Sequence, residues 1–312
     1  MRKRSLRALG CAFLVGTGLF GLSLGAPAEK DTADPAFPRE LVTFVPFDGN
    51  PIFTGRGAGF WDHTIRERGW ILRVDGVYRM WFTGYGGQRE DLKMLGYATS
   101  SDGLTWKRHA DNPIHRQRWI EDVMVVLLDG TYYMFAEGEK DHAYLLTSTD
   151  GIDWTRRGTL DIRYTDGKPL SPGAFGTPTA WHEDGIWYLF YERGDRGIWL
   201  ATSRDMKVWR HVRDEPVLVP GPDAFDARYI ALNQVIRHKG RYYALYHGAG
   251  TARRPRAWST AVATSKNLVD WKKFPGNPLL GDNQSSGIYV HDGTGYRLYA
   301  MHDAVRVHLP SR

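Results

Sequence analysis

The stretch Asp75-Gly76-Val77-Tyr78-Arg79-Met80-Trp81 recurs as Asp129-Gly130-Thr131-Tyr132-Tyr133-Met134-Phe135 and as Asp184-Gly185-Ile186-Trp187-Tyr188-Leu189-Phe190. Lys239-Gly240-Arg241-Tyr242-Tyr243-Ala244-Leu245 and Asp292-Gly293-Thr294-Gly295-Tyr296-Arg297-Leu298 continue the series. An Asp-Gly pair between apolar runs marks a tight hairpin, because a type I′ turn needs positive φ at both central residues. The alternation that follows each pair is that of a half-buried strand. The repeat length is about 55 residues, longer than the 40–45 of WD-type arrays.

Two further patterns share the period. Thr99-Ser100-Ser101-Asp102-Gly103-Leu104-Thr105-Trp106 returns as Thr147 to Trp154, Thr202 to Trp209 and Thr264 to Trp271, each a hairpin tip followed by a core Trp. Asn50-Pro51, Asn112-Pro113, Glu215-Pro216 and Asn277-Pro278 mark chain reversals, since Pro cannot stand in a central strand. No long amphipathic helical period competes with these strands. Five units of about four strands each predict an all-β fold, a five-bladed β-propeller over residues 41–312. The last unit lacks its own Thr-Ser-x-Asp strand, so Leu41–Phe47 is expected to supply the outer strand of the fifth blade and close the ring.

The chain has 312 residues, 42% of them hydrophobic and 24% charged, which excludes global disorder and a multi-span membrane protein. A single Cys excludes an intrachain disulfide framework. The net charge of +6 invites a nucleic-acid partner, but residues 1–28 read as a secretory signal peptide. Arg2, Lys3, Arg4 and Arg7 precede an apolar run to Leu24 and the cleavage signal Ala26-Pro27-Ala28. Cleavage after Ala28 removes four basic residues, no acid and the lone Cys, leaving +2. No nucleic-acid partner and no stable membrane insertion are then expected, and the location is secreted or periplasmic. Residues 29–40 read as a flexible lead-in.

The repeat also names a candidate channel ring. Thr83, Glu137, Glu192, His247 and His302 take equivalent places in successive units. Carboxylates are costly to bury unpaired, so a Glu/His ring points to function; the alternative is strand-end groups bonded to neighbouring loops. A second set precedes the inner strands: Trp61-Asp62, Trp119-Ile120-Glu121-Asp122, Gly176-Thr177-Pro178 and Leu232-Asn233-Gln234. Paired carboxyls with one kept protonated do general acid–base work, though any one of these acids can equally cap a turn. Trp61 and Trp119 could stack on a sugar face or belong to the core. The tract Arg253-Arg254-Pro255-Arg256, with Lys272-Lys273, reads as a solvated loop. No nucleotide, hydrolase-elbow or metalloprotease motif occurs, and no cofactor is called for. Metal binding by His247 and His302 with a channel carboxylate is the alternative left open.

These exits, strands and hairpins are similar to those of the five-bladed β-propeller glycoside hydrolases, among them families 43, 32, 130 and 117. Asp62-x-x-x-Arg66-Glu67-x-Gly69 is similar to a short motif of family 117. The family 43 resemblance implies that Asp62 is the general base. The Asp and Glu expected on that pattern in blades three and four are replaced by Gly176-Thr177-Pro178 and Leu232-Asn233-Gln234. The resemblance therefore leaves the acid to Glu192, Glu137 or His247, and the His acid of family 117 keeps His302 in play. The expected function is a glycoside hydrolase acting on a carbohydrate substrate. Asp62, Glu192 and His247 are its catalytic candidates. Glu137, Asp122, Glu121, Asn233, Gln234, His302, Trp61 and Trp119 are its binding candidates. A sugar-binding propeller without catalysis is one alternative. A phosphorylase like family 130 is another, with Arg66 and Arg228 as candidate phosphate ligands.

Overall fold

The computed structural model describes residues 34–170, 175–252 and 256–311. The expected signal peptide lies outside the described residues. Five antiparallel sheets form the five blades of the ring. Blade 1 runs Thr64–Val74, Val77–Tyr85, Met94–Ser100 and Lys107–Arg108 from the axis outward, and blade 2 runs Glu121–Leu128, Thr131–Gly138, His142–Ser148 and Thr155–Thr159. Blade 3 comprises Gly176–Glu183, Ile186–Glu192, Ile198–Ser203 and Val208–His211. It gains a fifth strand, Asp161–Arg163, laid parallel on its outer edge. Blade 4 is Tyr229–His238, Arg241–Ala249, Ser259–Ser265 and Trp271–Lys273. Blade 5 is Ile288–His291, Tyr296–Met301 and Val305–Pro310, completed by Phe44–Pro46. That N-terminal strand pairs antiparallel with Val305–Pro310, the closure expected from sequence, although Leu41 and Val42 belong to a short helix, Arg39–Val42.

Local chemistry explains the repeat. Asp75, Asp129, Asp184 and Lys239 all have φ between 47° and 52°, and the glycine after each also has positive φ, as a type I′ turn demands. In the fifth turn Asp292 instead uses its carboxylate to accept the amides of Thr294 and Gly295. In the Thr-Ser-x-Asp hairpins, Asp102 accepts the amides of Leu104 and Thr105 at 2.7 and 2.8 Å, and Asp150, Asp205 and Asn267 repeat the arrangement. The Asn before each Pro has its own task. Asn112 pairs both main-chain groups of Tyr97, Asn50 those of Val307 and Asn277 those of Val262. An amide carries one acceptor and one donor side, so it continues the ladder where the outer strand has ended.

The core lies between blades. Trp81, Phe135, Phe190, Leu245 and Leu298, the seventh residue of each quoted repeat, are all completely buried. Residues 34–40 are not the flexible lead-in that their charge and Pro content imply. Phe37 is completely buried, 5.0 Å from the Phe274 ring, and the Tyr243 hydroxyl donates to the Ala36 carbonyl. One aromatic anchor outweighs the polar composition around it. Phe37→Ala is expected to cost about 3–5 kcal/mol, read as a lower urea midpoint with the β-rich spectrum retained.

Candidate functional site

The inner strands of blades 1 to 4 break their ladders at the channel mouth, while that of blade 5 pairs without a shift. Register shifts fall between Arg66 and Trp70, Glu121 and Met124, Gly176 and Thr179, and Leu232 and Gln234. Arg68, Asp122, Thr177 and Ser286 have φ of 49–56° at these bulges or their fifth-blade equivalent. A bulge re-aims the side chains around it, and a non-Gly residue in the left-handed region is strain the surroundings must hold.

The central occupant is Arg68, completely buried. Its guanidinium donates to the Asp122 carbonyl of blade 2 at 3.1 Å and to the Pro178 carbonyl and Thr179 hydroxyl of blade 3, both at 2.6 Å. The Asn233 carbonyl of blade 4 is 3.5 Å away. Burial lowers its pKa to about 10, opposed by Asp122 and Glu137, so it stays charged at neutral pH. Further clips join neighbouring blades. Thr83 donates to the Ile120 carbonyl, Thr179 to the Leu232 carbonyl, and the Gln234 amide pairs both main-chain groups of Tyr289.

Above Arg68 lies a cavity of about 780 Å³. Its acids are Asp122, Glu137, Asp141, Glu192 and Asp195; its cations are Arg66, Arg89 and Arg256; His247 and Trp258 complete one wall. A hollow of about 530 Å³ adjoins it across Arg66, Arg89, Glu137 and Asp141, and adds Trp119 and Glu121. Glu137 Oε2 accepts the Thr177 amide at 2.7 Å, and Glu192 accepts the Asp195 amide. The two carboxyls approach each other over Gly176. A Cβ there would stand 1.8 Å from Glu192 Oε1 and 2.9 Å from Glu137 Oε2, and the sum of these bounds the separation of the two oxygens.

That crowding sets the protonation. Burial raises Glu137 well above the carboxylate range, with Asp122, Glu121, Asp141 and Glu192 adding repulsion. Burial, then Asp195, pushes Glu192 up to about 8. The pair therefore holds a proton at neutral pH, as a general acid must. On the opposite wall His247 Nδ1 lies 2.7 Å from the Asn233 amide oxygen, an acceptor, so in the neutral ring Nε2 is the acceptor nitrogen. Arg256 covers the Tyr229 ring at 4.1 Å and reaches Asp195 at 3.8 Å.

No protein-family model matches this sequence. It is 29% identical over 171 residues to a 1,2-β-oligomannan phosphorylase of Thermoanaerobacter sp. (strain X514), covering 51% of this chain and 54% of that protein. The chain spans about half the length of the curated relatives it matches. In structure it resembles a glycosyl hydrolase from Bacteroides ovatus, with a TM-score of 0.69, 16% identity, and coverage of 86% of this chain and 94% of that one. It also resembles the β-1,2-mannobiose phosphorylase of Listeria innocua in complex with β-1,2-mannobiose, with a TM-score of 0.64, 15% identity, and coverage of 85% and 96%. The fold is the one these carbohydrate-active propellers share.

Against this geometry the expected residues divide. Glu137, Glu192, His247, Asp122 and Arg66 meet at the cavity, with Glu121 and Trp119 beside it. Asn233 supports His247, and Gln234 is a blade clip. Asp62, expected as the base, is completely buried away from the cavity lining, ion-paired with Arg56 at 2.6 Å and Arg108 at 3.0 Å. The physical reason is register. Thr83 is paired by Arg66, as Glu137 is by Glu121, so the blade 1 counterpart of the acids lies four residues after Asp62. Trp61 stacks on Phe82 in the core. Arg228 is exposed outside the cavity lining, and His302 bonds Ser285 rather than joining His247. Among the described residues no three His, Cys, Asp or Glu gather to hold a metal.

Sequence reading missed Arg68, Asp141, Asp195, Arg89 and Trp258, and took Arg256 for a solvated residue. Arg68 was within reach, because it precedes Asp122 by 54 residues, one repeat. The others stand on the loops that join the second and third strands of each blade, whose sequences do not repeat.

Because folding retains a proton on Glu192, its stabilising contribution is fully present below the ordinary 4.5 and is lost as pH rises toward 8. Wild-type protein is therefore expected to lose urea resistance between about pH 5 and 8, and Glu192→Gln to lose less. Gly176→Ala, which drives a Cβ into the Glu192 carboxyl, is expected to keep the fold and weaken that pH dependence.

Proposed function

We propose that the protein cleaves a glycosidic bond of an oligosaccharide bound in this cavity. The observation that carries the reading is the Glu137–Glu192 pair, two buried carboxyls on adjacent blades holding a proton in a cavity of sugar size. Glu192 delivers that proton to the leaving oxygen as the bond from the anomeric carbon breaks. Water attacks the same carbon and passes its proton to His247 Nε2. The expected role of Asp62 passes to these groups. Glu192→Gln and Glu137→Gln are each expected to lower kcat about 100-fold or more, while Asp62→Asn lowers thermal stability and keeps turnover chemistry. Full turnover in both Glu variants would falsify the assignment. Binding without cleavage by the wild type would leave a sugar-binding propeller instead.

A second reading, phosphorolysis, is favoured by the sequence likeness to the oligomannan phosphorylase and by Arg66, Arg89 and Arg256 on the cavity wall. Phosphate would then attack the anomeric carbon, held by guanidiniums suited to its paired oxygens. β-1,2-Linked manno-oligosaccharides are the first substrates to try. Digestion with and without inorganic phosphate separates the two: free sugar in both supports hydrolysis, and sugar 1-phosphate appearing only with phosphate supports phosphorolysis. Export follows from the leader reading of residues 1–28, on which the recovered protein begins at Glu29 by N-terminal sequencing.

A further inference from the structure

A third hollow, of about 390 Å³, lies on blade 2 beyond the cavity that holds Glu137 and Glu192. Arg118, Lys140 and Arg156 line it, with Glu139 as the one acid on its wall. Among the described residues none of these three cations is in an ion pair. The hollow has a fixed frame. Tyr144, buried, donates its hydroxyl to the Trp119 carbonyl at 2.8 Å and carries the Arg156 guanidinium 4.8 Å from its ring. Trp119 Nε1 donates to Glu121 Oε1 at 2.7 Å, and Lys93 Nζ lies 4.4 Å from the indole, so the ring is held from two sides. His115 reports the local field: burial first, then the charges of Arg118 and Arg156, hold it below the ordinary imidazole range.

The hollow borders the site through shared walls. It shares Trp119, Glu139 and Lys140 with the hollow that in turn shares Arg66, Arg89, Glu137 and Asp141 with the main cavity. Cations gathered with a single acid repel one another unless an anion joins them. Guanidiniums present paired donors to a carboxylate or a sulfate, and an indole offers its face to a sugar ring.

We propose that this hollow is a distal subsite for an acidic glycosyl residue, a uronate or a sulfate ester, so that the substrate is an anionic oligosaccharide. The inference rests on the glycosidic reading of the main cavity. The bond cleaved and the residue held beyond it are separate determinants, so a mannosidic linkage at the first is compatible with an acid at the second.

The test is calorimetric binding to the full chain with trigalacturonate, a sulfated galactotriose and neutral mannotriose. At least one acidic probe is expected to bind about tenfold tighter than mannotriose at low ionic strength, and to lose that advantage at high salt. Whichever acidic probe binds tighter names the anion. In the Arg118→Ala/Arg156→Ala double variant, both positions being exposed, the acidic-to-neutral affinity ratio is expected to fall toward one. Lys140→Ala gives a second variant if the first is unstable. Equal affinities for acidic and neutral probes, or a preference unchanged in the variants, overturns the subsite. Binding is read without turnover. Cleavage is scored separately on β-1,2-linked manno-oligosaccharides with and without phosphate: an acidic preference without cleavage there leaves the subsite and removes the enzyme reading, and cleavage there with no acidic preference does the reverse.

Discussion

The guanidinium of Arg68 is the constraint on which the rest of the ring depends. It spends its donors on main-chain oxygens of blades 2 and 3 and approaches one of blade 4, where the inner strands have given up regular pairing. A bulge leaves carbonyls without ladder partners, and a buried carbonyl without a partner is costly. Arg68 supplies the missing donors from one fully buried point. The bulges can then persist, and with them the aim of Asp122 and the Thr177 amide. The same positive charge lies close enough to Asp122 and Glu137 to be coupled to both. A structural cation thus permits acids to collect in the centre of a β fold.

It does not neutralise them all. The Glu137–Glu192 pair keeps a proton because burial and neighbouring acids outweigh what the single guanidinium and their amide donors supply. Gly176 sharpens this, since its missing Cβ is the space into which both carboxyls fit. The counterpart positions in blades 2 and 1 are Glu121 and Arg66, which pair with each other. One location in the repeat therefore serves as an ion pair on one side of the ring and as a gap for two acids on the other. The asymmetry gathers the protonatable acids over blades 2 and 3.

How far the sequence revealed this depends on the range of each interaction. Asp75-Gly76 and Ser100-x-Asp102 form their turns from residues within three positions of one another, so the blades and their order were legible. Glu137, Glu192 and His247 were legible because the period is kept from blade to blade. Asp62 misled because its role was carried over from the family 43 resemblance, whereas register is set across the strand pair, Arg66 against Thr83. Phe37 misled in the opposite sense, as one aromatic residue in a polar segment whose partners, Tyr243 and Phe274, are distant in sequence. Asp141, Asp195 and Arg256 stand on inter-strand loops, and only the folded ring shows that these converge.

The arrangement of the hollows also bears on how a sugar chain would lie on the proposed reading. Arg68 stands fully buried between the inner strands of blades 2, 3 and 4. On that reading a chain in the cavity has its first residues against Glu137, Glu192 and His247 and its further ones to the side. The adjoining hollow past Arg66 and Trp119 opens over blade 2. If the proposed glycosidic reading holds, that route gives the site a direction, with the reacting end over the Glu pair and the tail along the blade 2 rim. On that reading, selection of the substrate beyond the scissile bond falls to the loops of that blade, which stand apart from the bulges that Arg68 holds.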